Sequence, residues 1–553
     1  MATSINETEI KYEMPSGVEL PKLDELRSIA SVRTAADEDL DAQYFDTDDL
    51  RLIHAGVTLR RRVGGHDEGW HLKTPVGLHT RREIHSPLRG EQGGRPPRPA
   101  QRGEPGGRPP GPAQRGEPGG RPPRPAQRKG DLTVPDELME LVLVHTRGKR
   151  VRPAAVIRTQ RQRLLLLDEA GEQLAELAID DVHAHREIGD RSPLDWREVE
   201  LELTGGDGAL LRDADKFLLD GGLVRSDQSA KFARAMGLGP PGSPAAERAR
   251  QALSASASAG EVVTAYLAEQ VAAMKALDPA VRRDEPDAVH QMRIAVRRLR
   301  STLRTFGALW QRQDGQATDQ VAADLKWLGT QLGGPRDAEV LQGHLLSATD
   351  ALPGELVLGP VQARIQGHYA RISADAKAKL AKALRSRRYF SLLDRLDALV
   401  TEPALTPVAA TSAKKVLPAA VRRSYRRTRR RMDRAAQAPA GRKQDAALHS
   451  ARRAAKRTRF AAEAVTPAFG QPADRFARRL KRVQSTLGDH QDSVIARQAE
   501  RELAIAAAQN TENAFSYGVL YQSDADAGVR AMASGQRAWV KASRRKLRAW
   551  LKG

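Results

Sequence analysis

The sequence predicts an α+β protein with a strand-rich N-terminal domain and an all-α C-terminal domain. Short runs with charged residues at every second position, separated by turn signals, are typical of strands and extend to about residue 238. From about residue 251 onward, Ala, Arg and Leu recur at helical spacing, and Gly and Pro lie mostly at the breaks. The predicted organisation is a domain at 1–238, a linker at 239–250 and a helical domain at 251–553.

Composition limits the classes of partner and chemistry. The chain of 553 residues is long enough for two or more domains. It contains 90 Lys and Arg residues against 69 Asp and Glu residues, and the resulting net charge of +21 favours polyanionic partners. The lack of cysteine excludes disulfides, thiolate zinc sites and cysteine nucleophiles. Since neither a secretory signal nor a membrane-spanning apolar run is present, we expect a soluble, intracellular protein.

Charged side chains of both signs alternate along the predicted strands. Residues two apart share one face of a strand, so each run presents its charges on one side. The runs with this spacing contain Glu7, Glu9 and Lys11; Arg60 and Arg62; Lys73; Arg161 and Arg163; Asp180; and Glu198, Glu200 and Glu202. If these faces converge inside one closed sheet, acidic and basic groups meet around a common space. Such a space suits a polyanion and its metal ions.

A low-complexity insertion interrupts the strand-rich domain at residues 89–128. Three 13-residue repeats, beginning with RGEQGGRPPRPAQ at residue 89, are rich in Pro, Gly and Arg. This composition cannot build a core, so we expect a disordered or partly polyproline II segment. A tolerated repeat expansion in a surface loop is the simplest interpretation, because the insertion follows a predicted strand.

The alternating charges point to phosphoryl chemistry. Carboxylates are the ligands that hard divalent cations prefer, and arginine and lysine bind phosphate oxygens. Phosphoryl transfer requires charge neutralisation, alignment and an oriented water rather than a covalent intermediate. The motifs of other phosphate-binding sites and of serine hydrolases are missing. The sequence has no GxxxxGK[ST] loop, no GxGxxG after a strand and no GxSxG elbow.

An ordered series of motifs resembles the CYTH superfamily, which joins class IV adenylate cyclases, thiamine triphosphatases and inorganic triphosphatases. The series comprises Glu7-x-Glu9-x-Lys11, Tyr44-Phe-Asp-Thr, Leu59-Arg60-Arg61-Arg62, Trp70-His-Leu-Lys73-Thr-Pro, Arg82-Glu83, Arg158–Arg163, Asp180, Glu198–Glu202 and Ser229-Ala-Lys231. One ExExK motif is a weak signal, but the ordered set across some 230 residues is strong. The resemblance implies an eight-stranded antiparallel β-tunnel.

The resemblance also implies roles for individual residues. The implied metal ligands are Glu7, Glu9, Asp180, Glu198 and Glu200, with Glu83 beside them. The implied triphosphate-binding residues are Lys11, Arg60, Arg62, Lys73, Arg161, Arg163 and Lys231. Catalysis is expected from Glu7, Glu9 and Lys11, with Mg²⁺ or Mn²⁺ as the cofactor.

Strand parity leaves two choices open. Arg158 and Arg161 are three residues apart, so their side chains point to opposite faces of the strand and either could face the tunnel. Glu202 competes with Glu198 as the second partner of Glu200.

The helical domain contains an internal duplication. His290-Gln-Met-Arg293 aligns with His449-Ser-Ala-Arg452 at an offset of 449 − 290 = 159, and Lys326 aligns with Lys481 at 481 − 326 = 155. Similar offsets in the same order predict two related helical bundles. Four positions in each copy advance by 0, 3, 7 and 10 and share one helical stripe. These positions are His290, Arg293, Arg297 and Arg300, and His449, Arg452, Lys456 and Arg459.

A row of like charges destabilises a helix, so the duplicated rows favour a binding role over an ordinary solvated face. Asp337 and Asp492 either orient these groups or cap helices. From about Glu261 to Lys546, the sequence resembles the CHAD domain, a helical domain often fused behind CYTH. The resemblance implies binding of inorganic polyphosphate by both rows together with Lys326 and Lys481, without a catalytic role for the histidines.

The leading hypothesis is a metal-dependent triphosphatase that hydrolyses inorganic tripolyphosphate, with helices that hold longer polyphosphate. It predicts a cytoplasmic protein that polyphosphate granules could recruit. An adenylate cyclase on the same tunnel is the first alternative, although no adenine pocket can be located in the sequence. A non-catalytic polyphosphate-binding protein is the second. A nucleic-acid binder is the weakest hypothesis, because only 4% of the residues are aromatic and no groove-reading motif is present.

Overall fold

A computed structural model describes residues 3–552 apart from positions 16, 27, 66, 77–79, 89–132, 229, 240–256 and 312–316. The repeats predicted at 89–128 and most of the predicted linker lie outside the described residues. The chain divides into two units, Met1–Pro241 and Gly242–Gly553. Within the part of the chain that is described, no helix is long and apolar enough to cross a membrane.

The N-terminal unit is a closed antiparallel β-barrel with short helices. Its strands are β1 (Thr3–Glu13), β2 (Ser31–Thr34), β3 (Glu38–Asp46), β4 (Thr58–Val63), β5 (Gly69–Pro75), β6 (Thr80–Ser86), β7 (Arg152–Leu167), β8 (Gln173–Arg186), β9 (Leu194–Leu203) and β10 (Val224–Arg225). Its helices are α1 (Arg51–His54), α2 (Asp136–Thr146), α3 (Gly208–Asp220) and α4 (Lys231–Ala235). Eight strands close in the order β1-β6-β5-β4-β3-β7-β8-β9-β1, which confirms the predicted eight-stranded architecture.

Strand β1 closes the barrel because it pairs with two neighbours. Its first half pairs with β6, where Glu7 lies opposite Arg81, and its second half pairs with β9, where Lys11 lies opposite Glu200. Since successive side chains of a strand point to opposite faces, Glu7 and Lys11 turn into the barrel and Ile10 turns outward. The charged faces therefore converge, as the sequence predicts.

The outer faces of the strands are apolar and helices cover them. On one side Ile10, Tyr12, Val199 and Leu201 pack in one buried cluster that includes residues of α3, such as Leu218. Burial of each large apolar side chain contributes about 1.5–3 kcal/mol.

A second outer cluster holds β4 and β5 against α2. It includes Leu59, Leu72, Leu138 and Val142, all of which are fully buried. These two clusters thus lie outside the barrel, whereas a third includes residues that line the interior, such as Tyr44.

The C-terminal unit is helical throughout its described part, which confirms the predicted all-α domain. Its helices are α5 (Ala259–Arg282), α6 (Ala288–Phe306), α7 (Ala317–Gln331), α8 (Gly333–Asp350), α9 (Val361–Leu384), α10 (Arg387–Thr401), α11 (Ala413–Gln437), α12 (Arg442–Phe469), α13 (Gln471–Gln509) and α14 (Phe515–Ala542). The duplicated segments fold alike, since α6 corresponds to α12, and α7 with α8 correspond to the single long helix α13. Helices α6 and α12 pack against each other.

Two turn glycines provide a matched stability test. Gly64 and Gly171 both have a left-handed backbone, with φ of +86° and +81°. A Cβ atom added to Gly64 would lie 2.1 Å from the carbonyl oxygen of Asp39, whereas one added to Gly171 would meet nothing within 4 Å. We expect Gly171→Ala to cost about 1 kcal/mol and Gly64→Ala at least about 3 kcal/mol of unfolding free energy. Denaturant unfolding measures both, and equal losses would contradict the packing described for Gly64.

Candidate active site

The barrel encloses a cavity of about 550 Å³ whose lining comes from all eight strands. Carboxylates and cations alternate around its wall. The lining acids are Glu7, Glu9, Glu38, Asp67, Glu83, Glu176, Glu200 and Glu202. The lining cations are Lys11, Arg60, Arg62, Lys73, Arg81, Arg161, Arg163 and Lys231. All seven residues predicted to bind triphosphate therefore face one enclosed space.

Three carboxylates gather next to this space, and only one of them, Glu200, contributes to its lining. Asp180, Glu198 and Glu200 are all buried and offer oxygen atoms within 4.8 Å of one another. The ammonium group of Lys231, at the start of α4, lies at their point of convergence. Its Nζ is 2.7 Å from Asp180 Oδ2, 2.8 Å from Glu198 Oε1 and 2.6 Å from Glu200 Oε1. This carboxylate triad is thus neutralised in part by an internal cation.

These ion pairs shift the pKa values of Lys231 and Glu200. Burial disfavours the charged form of Lys231, but Asp180, Glu198 and Glu200 outweigh burial and raise the pKa of Lys231 well above its usual range. Against burial, Lys11 and Lys231 hold the pKa of Glu200 well below its usual range. Against burial, Lys231 and Arg161 likewise lower the pKa of Asp180, so Asp180 and Glu200 are ionised at neutral pH and need positive charge beside them.

Arg161 resolves the first choice that strand parity left open. Its guanidinium donates to Asp180 Oδ1 and Oδ2 at 2.8 and 2.7 Å and to Glu200 Oε2 at 2.6 Å. Arg158 instead points away from the cavity, with 69% of its side chain exposed, and pairs with Asp41. The register of β7 against β3 and β8 brings Arg161 opposite Glu38 and Asp180, and this pairing decides the inward face.

The second choice concerns the partner of Glu200. Glu198 joins Glu200 in the triad, and its other oxygen accepts a hydrogen bond of 2.6 Å from Trp196 Nε1. Glu202 also lines the cavity, but it lies outside the triad. Burial raises the pKa of Glu202, so it takes up a proton more readily than an exposed glutamate.

A second group of charges surrounds Glu7. Lys73 donates to Glu7 and lies 3.6 Å from Glu83, whose other oxygen is 2.6 Å from His71 Nδ1. Burial, together with a hydrogen bond to Glu83, raises the pKa of Glu7 to about 8. Burial lowers the pKa of His71 to about 3, so this imidazole is neutral. Glu7 therefore keeps its proton at neutral pH.

The predicted metal ligands do not all meet at one point. Asp180, Glu198 and Glu200 form the triad, whereas Glu7 lies with Lys73 and Glu83. Glu9 lines the same cavity with its carboxylate 3.6 Å from Lys11. Against burial, Lys11 and then Lys73 lower the pKa of Glu9, so it is ionised.

Sequence reasoning gave no role to His71 or Tyr44, although both line the cavity. Arg60 Nη1 donates to the hydroxyl of Tyr44 at 3.2 Å. Strand parity could have identified His71, because it lies two residues before Lys73. Tyr44 is the first residue of the Tyr44-Phe-Asp-Thr motif in the sequence.

The donor set of the triad fits a hard divalent cation. All of its ligand atoms are carboxylate oxygens, which Mg²⁺ and Mn²⁺ prefer. Lys231, Arg161 and Lys11 together balance these three carboxylates in the structure. A bound cation would share these oxygens with the ammonium of Lys231.

The predicted cationic rows face each other in the C-terminal unit. Burial and the neighbouring Arg293 lower the pKa of Arg297 to about 10. Burial, followed by Arg297 and Arg452, lowers the pKa of Lys456 to about 7. Four cations from α6 and α12 are thus close enough that each makes the positively charged form of the others less favourable. We call Arg293, Arg297, Arg452 and Lys456 the paired rows.

The remaining row residues are placed differently. Arg459 is buried with its Nε 3.0 Å from Glu463 Oε1, one helical turn later, so it pairs internally. Arg300 is half-buried, and burial and Arg304 lower its pKa. Lys326 and Lys481 are exposed.

Histidines and aspartates lie beside the paired rows. Burial lowers the pKa of both His290 and His449, and His449 Nδ1 is 2.5 Å from Gln491 Oε1. Arg293 donates to Asp337 at 2.6 Å, which supports the orienting role for this aspartate. Asp492 is exposed, although desolvation of its carboxyl group by the surrounding protein raises its pKa.

The triad predicts a metal-dependent stability. Lys231→Met removes the internal cation and leaves three buried carboxylates, so we expect a loss of about 3–5 kcal/mol. Millimolar Mn²⁺ should then raise the melting temperature of this variant more than that of the parent protein. Arg234→Met, on the same helix, removes a partly exposed pair with Glu13 and a contact with the Trp196 ring, and it should cost about 1–2 kcal/mol without a Mn²⁺ response. Equal Mn²⁺ responses in Lys231→Met and the parent would contradict a cation site at the triad.

Comparisons with known proteins agree with this architecture. The CYTH domain family matches residues 6–234, and the CHAD domain family matches residues 265–501. Two uncharacterized proteins of Mycobacterium tuberculosis, from strains CDC 1551 and H37Rv, are 35% identical over 95% of this chain and 94% of their own length.

Two solved structures are also similar. PptA from Streptomyces chartreusis is 24% identical, with a TM-score of 0.44, over 51% of this chain and 99% of that chain. The CHAD domain from the plant Ricinus communis is 26% identical, with a TM-score of 0.38, over 55% of this chain and 94% of that chain. The two family matches and the full-length relatives together show that this chain belongs to the proteins in which a CYTH domain is followed by a CHAD domain.

Proposed function

We propose that the barrel is a metal-dependent triphosphatase that hydrolyses inorganic tripolyphosphate or a related phosphoanhydride. One observation carries the proposal: the Nε atoms of Arg60 and Arg62 are buried, and in the described part of the chain they donate no hydrogen bond. A buried donor without an acceptor is costly, and phosphate oxygens are well suited to supply that acceptor. The cavity therefore favours an anionic ligand beside these arginines.

The crowding of positive charge in the cavity also favours an anionic ligand. Burial, followed by Arg60 and Arg161, lowers the pKa of Arg62 to about 9, because three guanidinium groups crowd together. Arg62 pairs with Asp67, but Arg60 contacts only the hydroxyl of Tyr44 among the hydrogen bonds described for it. An anion in the cavity would relieve this repulsion.

The acidic residues supply the second half of the chemistry. CYTH-family enzymes are generally metal-dependent, and the triad of Asp180, Glu198 and Glu200 would hold the ion. When bound, a divalent cation neutralises phosphate oxygens and promotes attack by water.

Glu7 and Glu9 have complementary protonation states. The protonated Glu7 can donate a hydrogen bond to a phosphate oxygen instead of repelling it. The ionised Glu9 can accept a proton from the attacking water. The water oxygen then bonds to the terminal phosphorus while the bond from that phosphorus to the bridging oxygen breaks, which releases phosphate and diphosphate.

We propose further that the C-terminal unit binds longer inorganic polyphosphate through the paired rows. Arg293, Arg297, Arg452 and Lys456 are crowded and partly desolvated, so a linear polyanion would lower their electrostatic energy. Binding there would raise the concentration of polyphosphate available to the barrel.

Two neighbouring aspartates on β8 test the catalytic site. Asp180 is wholly buried in the triad, whereas Asp181 is exposed and pairs with Arg197. We expect Asp180→Asn to lower phosphate release from tripolyphosphate with Mg²⁺ or Mn²⁺ by about 100-fold, and Asp181→Asn to leave it unchanged. Melting curves of both variants report whether the fold is kept.

Two results would contradict the proposed reaction. One is an Asp180→Asn variant that is folded and fully active. The other is a parent protein that releases no phosphate from tripolyphosphate but forms cyclic AMP from ATP, which would favour the cyclase.

The paired rows predict a pH dependence for polyphosphate binding. In the free protein, Lys456 loses its proton near pH 7, and bound phosphates would favour its charged form and raise its pKa. Affinity should therefore fall as the pH rises from 6 to 8. Lys456→Arg should flatten this dependence, because arginine stays charged, whereas Lys481→Arg should keep it. A pH profile of Lys456→Arg that matches the parent would contradict this role.

A further inference from the structure

A second cationic groove lies in the C-terminal unit, between α13 and α14. Its volume is about 720 Å³, and its lining includes Arg475, Arg478, Arg479, Arg482, Arg537 and Lys541. None of the paired-row residues contributes to it. We propose that this groove is an additional binding site for a linear chain of phosphates. The choice of ligand rests on the proposed function of the C-terminal unit, but the site is separate from the one proposed there.

The close spacing of the cations along the groove indicates an anionic ligand. Arg475, Arg478, Arg479 and Arg482 fall at i, i+3, i+4 and i+7, so they share one face of α13 and extend along about 10 Å of helix. Across the groove, Arg537 and Lys541 are one turn apart on α14. Like charges at these spacings destabilise a helix when nothing balances them.

Little within the groove balances these charges. No acidic residue appears in its lining, whose other members are Thr486, Ser534, Ala538 and Leu547. Arg478 pairs with Asp474 outside the lining, but 66% of the Arg478 side chain is exposed, so this pair contributes little. The groove thus presents an excess of positive charge on two facing helices.

The internal duplication provides a control within the same chain. At the offset of 481 − 326 = 155, Arg475, Arg478, Arg479 and Arg482 correspond to Gln320, Ala323, Asp324 and Trp327. Asp324 is wholly buried and pairs with Arg388 and Arg395, so this face of the first copy serves packing. The shared fold therefore does not require arginines at these positions, and their presence in the second copy needs another explanation.

The lining favours a ligand composed of phosphates alone. Single-stranded nucleic acids usually bind through aromatic side chains on which bases stack, and this lining has none. The nearest tryptophan in sequence, Trp539, stacks on Tyr425 with ring centroids 5.7 Å apart. Inorganic polyphosphate needs only closely spaced cations.

Matched double variants of the full-length protein test the site. Arg482→Gln with Arg537→Gln removes one groove cation from each helix. Arg501→Gln with Arg530→Gln removes the same charge from exposed positions on the same helices outside the groove. Binding of fluorescently labelled long-chain polyphosphate at several salt concentrations is the readout. We expect the groove pair to weaken binding about tenfold and to lower the salt slope by about two, and the control pair to change neither.

Other outcomes would overturn the proposal. Equal affinities for the groove and control pairs would remove the site. A loss of binding to a labelled single-stranded oligonucleotide, with polyphosphate binding unchanged, would make the groove a nucleic-acid site. Because binding is measured separately from hydrolysis, a failure of the proposed triphosphatase reaction would leave this test intact.

Discussion

Closure of the sheet is the constraint on which the N-terminal unit depends, because it forces charged strand faces into one enclosed space. A buried charge is tolerated when an opposite charge or a ligand compensates it. Lys231 provides that compensation for Asp180, Glu198 and Glu200, and Lys73 provides it for Glu83. The barrel stays folded around its own ion pairs, and the same groups are positioned to exchange these partners for a metal ion and a phosphate chain.

The outer surface of the barrel makes such an interior possible. Ile10, Leu59, Leu72 and Leu201 point away from the cavity and pack in clusters with α2 and α3, so stability comes from outside the functional site. The interior therefore need not be apolar. The helical unit follows a related principle, since α6 and α12 bring like charges together, and the proposed binding of polyphosphate would relieve their repulsion.

Strand parity, together with the closed sheet that the CYTH resemblance implied, predicted that Glu7, Arg60, Lys73 and Glu200 face the same space, because a closed sheet has one interior. Parity could not choose between Arg158 and Arg161, since that depends on the register of β7 against its neighbours. It also could not tell that Asp180 gathers with Glu198 and Glu200 while Glu7 does not, because such distances depend on how the strands are staggered. Helical spacing predicted that Arg459 lies in the cationic row of α12. In the structure, Arg459 instead forms an ion pair with Glu463 one turn later on the same helix. The groove arginines on α13 went unnoticed because their partners on α14 are distant in sequence.

The most direct test of the central claim is a crystal structure of the protein with tripolyphosphate and Mn²⁺, in which anomalous scattering locates the metal. The account predicts phosphate density inside the barrel against Arg60 and Arg62, with a manganese peak at the carboxylates of Asp180, Glu198 and Glu200. Phosphate and manganese bound only on the outer surface, with the Lys231 ion pairs unchanged and the cavity empty, would contradict it.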